Sequence, residues 1–278
     1  MSTVNPVNQE KSSSYTSRFR DNKLTFLRVT NSEWIKFRSI RSNWITLALT
    51  FLVIVGFGIL SASINRNRGG GGGEVRSPFD RVLTGVNLSV LIIAVFGGVF
   101  GAREYGSGMI KSSFSAVPRR LPVFFNKIIL FSKAVFPTLL IAVFLAFTIG
   151  TSILKHNGTA VPKLGDPFIL RALLGNIFYV LGLGLIGLSV GILVRQTAVA
   201  IAITVGGVLF LPALLGAVLP NSWHKALEYL PSNAGGAFTA PNGVSINSLS
   251  PTTGGIVFIA WIIGVFALTS FSLVKRDV

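Results

Sequence analysis

Leu173-Leu174-Gly175-Asn176-Ile177-Phe178-Tyr179-Val180-Leu181-Gly182-Leu183-Gly184-Leu185-Ile186-Gly187-Leu188-Ser189-Val190-Gly191-Ile192-Leu193-Val194 runs for 22 residues without one charged side chain. As a helix rising ~1.5 Å per residue it would be about 33 Å long, enough to cross the ~30 Å hydrocarbon core of a bilayer. Working outward, five further stretches read the same way: Trp44–Ile64, Val82–Gly101, Phe124–Leu154, Ala198–Leu219 and Gly255–Val274. Every Asp and Glu lies outside all six. The third stretch is long and carries Lys127 and Lys133, which are costly at the bilayer centre and better placed at its edge. Its crossing part is therefore expected at 134–154, with Pro137 as a kink. The chain reads as an all-α membrane protein with spans at about 44–64, 82–101, 134–154, 173–194, 198–219 and 255–274. These spans fill close to half of its 278 residues and leave no room for a large soluble domain.

The net charge of +16 would suit nucleic acid, but the cations follow the spans rather than gathering in one groove. If the N-terminus is cytoplasmic, 17 Lys and Arg fall on inner segments and eight on outer ones (Arg66, Arg68, Arg76, Arg81, Lys155, Lys163, Arg171 and Lys225). The positive-inside rule then puts both termini in the cytoplasm, and no nucleic-acid partner is expected. With no cysteine, the chain has no disulfide, thiolate nucleophile or Cys-based metal site. The first 43 residues are too long and polar to open a cleavable signal peptide.

Residues 1–23 are rich in Ser, Asn, Gln and Lys and are expected to be a disordered cytoplasmic tail. Residues 24–278 form one transmembrane domain. Thr30 and Glu33 have capping-box spacing, with Val29 and Trp34 as the hydrophobic staple. The helix after them would set Trp34, Phe37, Ile40 and Trp44 on one face, flanked by Lys36, Arg38 and Arg41, the pattern of a helix lying among lipid headgroups.

Several motif-like segments carry no chemistry. Gly69 to Gly73 is a flexible linker, and near Gly106-Ser107-Gly108 the Lys111-Ser112 pair has neither the spacing nor the context of a phosphate-binding loop. His224 has no second His or Cys near it. Gly182, Gly184, Gly187 and Gly191, with Gly97 and Gly101, are packing signals for close helix contact in lipid. Arg195-Gln196 reads as a tight inner hairpin. Asn221 to Gly236 has helical spacing in its front half (Trp223, Leu227, Leu230) and Ser, Asn, Pro and Gly in its back half, as a short helix or re-entrant hairpin at the outer surface would.

Three segments together resemble the ABC-2 type permeases, the membrane subunits of ATP-binding-cassette exporters, most closely the compact six-span bacterial type. They are Glu33-Trp34-Ile35-Lys36-Phe37-Arg38-Ser39-Ile40-Arg41-Ser42; Glu104-Tyr105-Gly106-Ser107-Gly108-Met109-Ile110 followed by Val117-Pro118-Arg119-Arg120; and Tyr229-Leu230-Pro231-Ser232-Asn233-Ala234-Gly235. The resemblance implies an interfacial elbow helix with Trp34, Phe37, Arg38, Ile40 and Arg41. It implies a coupling helix over Arg103, Glu104, Tyr105, Gly106, Ser107, Gly108, Met109, Ile110 and Lys111 that contacts a separate ATPase subunit. It also implies an outer re-entrant element with Trp223, Leu227, Tyr229, Leu230 and Pro231. Met109 stands where family members usually show Thr.

The function so implied is that of an export permease in the bacterial cytoplasmic membrane. It would work as a dimer with an identical or homologous permease subunit and two ATPase subunits, among membrane lipids. ATP and Mg would sit in the ATPase partners, with no cofactor in this chain. A secondary transporter or channel is the alternative. Proton-coupled carriers usually need a carboxylate or histidine inside the spans, and none lies within the six stretches. Enzymatic activity is not expected, because the spans hold no nucleophile with an acid–base partner and no His-rich cluster.

Overall fold

The structure, a computed structural model, describes residues 26–64, 77–106, 120–220, 223–241 and 249–275. The expected tail of residues 1–23 and the glycine run lie outside them. Among the described residues all the regular structure is helical: α1 (Phe26–Ser39), α2 (Arg41–Ser63), α3 (Pro78–Val82), α4 (Thr84–Gly106), α5 (Arg120–His156), α6 (Ile169–Val194), α7 (Thr197–Val205), a π-turn (Gly206–Phe210), α8 (Leu211–Val218), α9 (His224–Leu227), α10 (Pro231–Thr239) and α11 (Pro251–Lys275). Five of these (α2, α4, α5, α6 and α11) are long and apolar enough to cross a membrane, and the α7–α8 pair, bent by 48°, makes up to six. The chain is a multi-pass membrane protein.

Local chemistry sets the helix ends. Ser77 and Ser250 each cap a helix that has Pro as its first residue: Asp80 N–H donates to Ser77 Oγ at 3.2 Å and Thr253 N–H to Ser250 Oγ at 3.2 Å. A serine hydroxyl takes an orphan first-turn donor, and proline's missing N–H costs nothing there. Arg81 closes α2 from outside its own helix, Nη2 donating to the Ile64 carbonyl at 2.6 Å.

The centre of the bundle is the α4–α6 seam. A side chain on Gly97 would strike the Gly184 carbonyl, and one on Gly101 the Leu188 carbonyl. One on Gly187 would strike Ala94 and one on Gly191 would strike Gly98. The partners advance together along both helices, so α4 and α6 run parallel, backbone against backbone. Such approach needs glycine, and it is what the sequence spacing anticipates. Around the seam, Gly58 of α2 lies against Val82 and Ala146, Val82 packs into Gly150 of α5, and Phe258 and Ile262 of α11 fill the space beside Gly182 of α6.

Several boundaries differ from expectation. Thr30 is inside α1, whose helix already covers Phe26, so the Thr30–Glu33 capping box does not form. Glu33 instead accepts from Lys36 Nζ at 2.7 Å. The second spanning helix starts at Thr84, because Ser77-Pro78 nucleates the separate α3 and Leu83 breaks the chain between them. The third helix is continuous for 37 residues, about 55 Å, and remains helical across Pro137. The carbonyl that Pro137 leaves without its helical donor is one residue before that of Ala134, which accepts from the Thr138 hydroxyl at 3.1 Å. The fifth stretch is not one helix: Pro212 cannot donate to Val208 and its ring crowds that carbonyl, and the helix gives way to a π-turn beginning at Gly206-Gly207.

Candidate functional site

Contacts sort the helix termini to two ends of the bundle. At one end Lys133 Nζ of α5 stands 5.2 Å from the Trp34 ring centroid of α1, and Arg195, after α6, stands 5.3 Å from that of Tyr105 on α4. Phe266, towards the end of α11, meets Phe124 at the start of α5 with centroids 5.6 Å apart. At the other end Thr84 Oγ1 reaches Ser61 Oγ at 3.3 Å, and Arg171 Nη2 donates to the Ala240 carbonyl at 2.9 Å.

The first end gathers the predicted elbow and the start of the predicted coupling segment. Trp34 stacks on Phe37 (centroids 5.9 Å apart, rings 5° from parallel), and Phe37, 1% exposed, meets Phe96 at 6.4 Å and Phe100 at 5.7 Å. The face expected to lie among headgroups therefore turns onto the protein, and Asn31, Ser32, Ile35, Arg38 and Ser39 are exposed. Ile40 and Arg41 do not belong to the elbow helix. Ile40 is extended (φ −94°, ψ 107°) and Arg41 begins α2. The break has a chemical cause. Asn43 Nδ2 donates to the Phe37 carbonyl at 3.0 Å and Trp44 Nε1 to the Arg38 carbonyl at 3.2 Å. Two carbonyls of the last turn of α1, where helical donors run out, thus accept from side chains of the next helix, and the Phe37 carbonyl also accepts from Ile40 N–H at 3.4 Å, which fixes the corner.

Arg103, Glu104, Tyr105 and Gly106 are the last turn of α4, not a loop, so the spanning helix continues into the segment that the resemblance assigns to coupling. Ser107, Gly108, Met109, Ile110 and Lys111 lie outside the described residues. Lys127 is buried, with its Nζ 5.3 Å from the Phe100 centroid.

Between α2 and α4 at this end lies a groove of about 490 Å³, which sequence reasoning missed. Ser42, Asn43, Thr46 and Arg103 form its polar part, and Leu49, Leu91, Ile92, Val95, Phe96, Val99 and Phe100 its apolar part. No sequence period marks it, because it exists only where two faces meet.

At the opposite end the outer segment divides differently from expectation. The helix in its front half is only His224–Leu227, and the longer one is the Ser-, Asn- and Gly-containing Pro231–Thr239. Proline disfavours helix at the residue before it, and Leu230 is accordingly extended (φ −66°, ψ 146°) while Pro231 takes the first helical position. Leu230 therefore cannot continue the helical face of Trp223 and Leu227, and Trp223 is exposed. Trp261 Nε1 of α11 donates to the Tyr229 carbonyl at 2.8 Å and Asn233 Nδ2 to that of Leu227 at 2.8 Å, so the segment is clamped to the bundle. Among the described residues no group of three His, Cys, Asp or Glu could hold a metal ion.

No protein-family model matches the chain, and no curated protein matches it.

Proposed function

We propose that the chain is the permease subunit of an ATP-driven exporter in the bacterial cytoplasmic membrane, a six-span protein with both termini cytoplasmic. The observation that carries this reading is the platform at one end of the bundle. There the docked α1 and the first part of α5 meet beside the last turn of α4, where Arg103 to Gly106 open the segment (Arg103 to Lys111) whose sequence resembles a coupling helix. A helix of ~55 Å is longer than the ~30 Å hydrocarbon core. The basic first part of α5, with Lys127 and Lys133, can therefore stand clear of it on the cytoplasmic side.

The α7–α8 pair is the sixth crossing in this reading. It leaves Arg195 at the platform end, and the chain after it reaches α10, which Arg171 and Asn176 hold at the other end. The six apolar stretches contain no carboxylate or histidine that could relay protons, which supports an external energy source. Two ATPase subunits would bind and hydrolyse ATP with Mg, and a second permease subunit, identical or homologous, would complete the pathway. The α9–α10 clamp would close its outer end.

The test is co-expression with a candidate ATPase subunit. Glu104→Lys, or a bulky residue at Gly106 or Gly108, should lower ATPase co-purification while membrane insertion stays normal. Unchanged ATPase yield in all three variants contradicts the coupling assignment. Uphill transport by the purified chain alone, driven only by an ion gradient, ends the exporter reading.

A further inference from the structure

The α2–α4 groove supports an inference that does not depend on the transport reading. Its lining runs from Leu91 to Arg103 along α4, about 18 Å at ~1.5 Å per residue, close to the ~15 Å depth of one leaflet's hydrocarbon. Its chemistry is divided along that length. Arg103 and the Ser42 and Asn43 side chains sit where α2 begins and α4 ends, while Leu49, Leu91 and Ile92 lie deeper along the helices. The groove flanks two apolar helices, Leu49 is half exposed, and a lipid tail can enter it sideways.

The charge around the polar part is net positive. Arg38 and Arg41 are exposed at the α1–α2 corner, and Lys127 stands against Phe100, a wall of the groove. Among the described residues at this end Glu33 is engaged by Lys36 and Glu104 follows Arg103 in the last turn of α4, so the cations outnumber the acids. A ligand matching this pattern has a negative head, an apolar tail and the length of one leaflet.

We infer that the groove binds one anionic glycerophospholipid, its phosphate at Arg103 and one acyl chain along Leu91, Val95 and Val99. Arginine suits this role because its planar fork pairs with two phosphate oxygens at once and stays charged. A zwitterionic lipid of equal chain length fits the apolar part but brings a cation to a cationic neighbourhood.

The experiment uses the purified full chain in detergent and reads bound lipid by native mass spectrometry. Phosphatidylglycerol and phosphatidylcholine with identical chains are compared, with inorganic phosphate as a competitor. Phosphatidylglycerol should be retained about tenfold more tightly, because both lipids offer the same phosphodiester to Arg103 but only phosphatidylcholine brings a head cation towards Arg38, Arg41 and Lys127. Arg103→Gln should weaken retention of both lipids about tenfold, each losing the charge-assisted hydrogen bond to its phosphate, and Arg103→Lys should keep part of that retention. Val99→Trp, which fills the apolar part, should weaken both lipids. If that variant does not fold, Arg103→Gln with an unchanged circular dichroism spectrum still decides the matter. Equal retention of the two lipids by the unaltered chain, or retention that Arg103→Gln leaves unchanged, overturns the inference. So does displacement by millimolar phosphate alone, which marks a bare anion site. Lipid loss on dimerisation would assign the groove to a second copy of the chain and overturn it as well.

Discussion

Gly97 and Gly98 are neighbours on α4, yet alanine should act oppositely at the two. A Cβ at Gly97 would overlap the Gly184 carbonyl of the parallel helix α6, and a backbone carbonyl cannot rotate away. A Cβ at Gly98 meets Thr204 Oγ1 at 3.5 Å, the Gly187 carbonyl at 3.6 Å and Ala200 Cβ at 3.7 Å, which are ordinary contacts. Both substitutions gain the same ~0.5–1 kcal/mol of helix preference, so that gain cancels in the comparison. What remains is the overpacking cost at Gly97, about 1–3 kcal/mol for forcing a close-packed contact open. The difference corresponds to roughly 5–150-fold in the folding equilibrium. Reversible unfolding in mixed micelles, followed by far-ultraviolet circular dichroism, reads it directly. Gly97→Ala should unfold at clearly lower denaturant fraction, and Gly98→Ala at the same or a higher one.

The same geometry fixes the double variant. Gly191 meets the Gly98 carbonyl on the same seam. Once one added methyl has parted α4 from α6, a second finds space already made. Gly97→Ala with Gly191→Ala should therefore cost less than the two losses added, outside the ~0.5 kcal/mol within which independent sites add. Equal stabilities for Gly97→Ala and Gly98→Ala would refute the seam, and strict additivity of the pair would refute its action as one contact.

Three further substitutions test local features. Asn43→Ala removes the buried donor to the Phe37 carbonyl and should lower stability by about 1–2 kcal/mol, with faster tryptic cleavage at Arg38 or Arg41; an unchanged digestion rate argues against the corner. Thr204→Val replaces a buried hydroxyl that has no partner among the described residues with an apolar group of the same shape, and should raise stability by about 1 kcal/mol; a loss would mean that the hydroxyl is engaged. Phe168 is held in left-handed conformation at φ 71° before α6, so Phe168→Gly should relieve ~1–2 kcal/mol of strain, against the ~0.5–1 kcal/mol of its contact with Arg171, and raise the melting temperature slightly; a fall would show that the contact outweighs the strain.

What the sequence discloses is set by how local each cause is. Span existence is a matter of apolar length, and the fourth stretch, read as ending at Val194, ends there in α6. The α4–α6 seam is also legible, since glycines at three- and four-residue steps have few other uses in a spanning helix. Two misplaced boundaries had local signals that the hydropathy overrode: Ser77-Pro78 before the second span and Pro212 within the fifth. The corner at Ile40 had none, because it depends on the Asn43 and Trp44 side chains reaching back six residues to carbonyls of the preceding helix. Trp34 and Phe37 were correctly paired on one face, but periodicity does not say whether an apolar face meets lipid or protein. The presence of Phe96 and Phe100 opposite them decides it.

The proposed six-span topology rests on two independent lines that could have disagreed. The charge count uses only the residue types between apolar stretches, and assigns Arg103, Lys133, Arg195 and Lys275 to one side and Arg81, Arg171 and Lys225 to the other. The packing uses contacts rather than a charge count. Phe266 against Phe124 joins the later part of α11 to the start of α5, and Ala234 against Gly254 joins α10 to the start of α11. If α7 and α8 turned back instead of crossing, α10 and the start of α11 would lie at the end that holds Arg195. Arg171 could not then reach the Ala240 carbonyl while α6 carries Arg195 to Tyr105 at its far terminus. In the six-span reading the bend at the π-turn is an interruption within a crossing, and the glycine pair and Pro212 supply its physical cause.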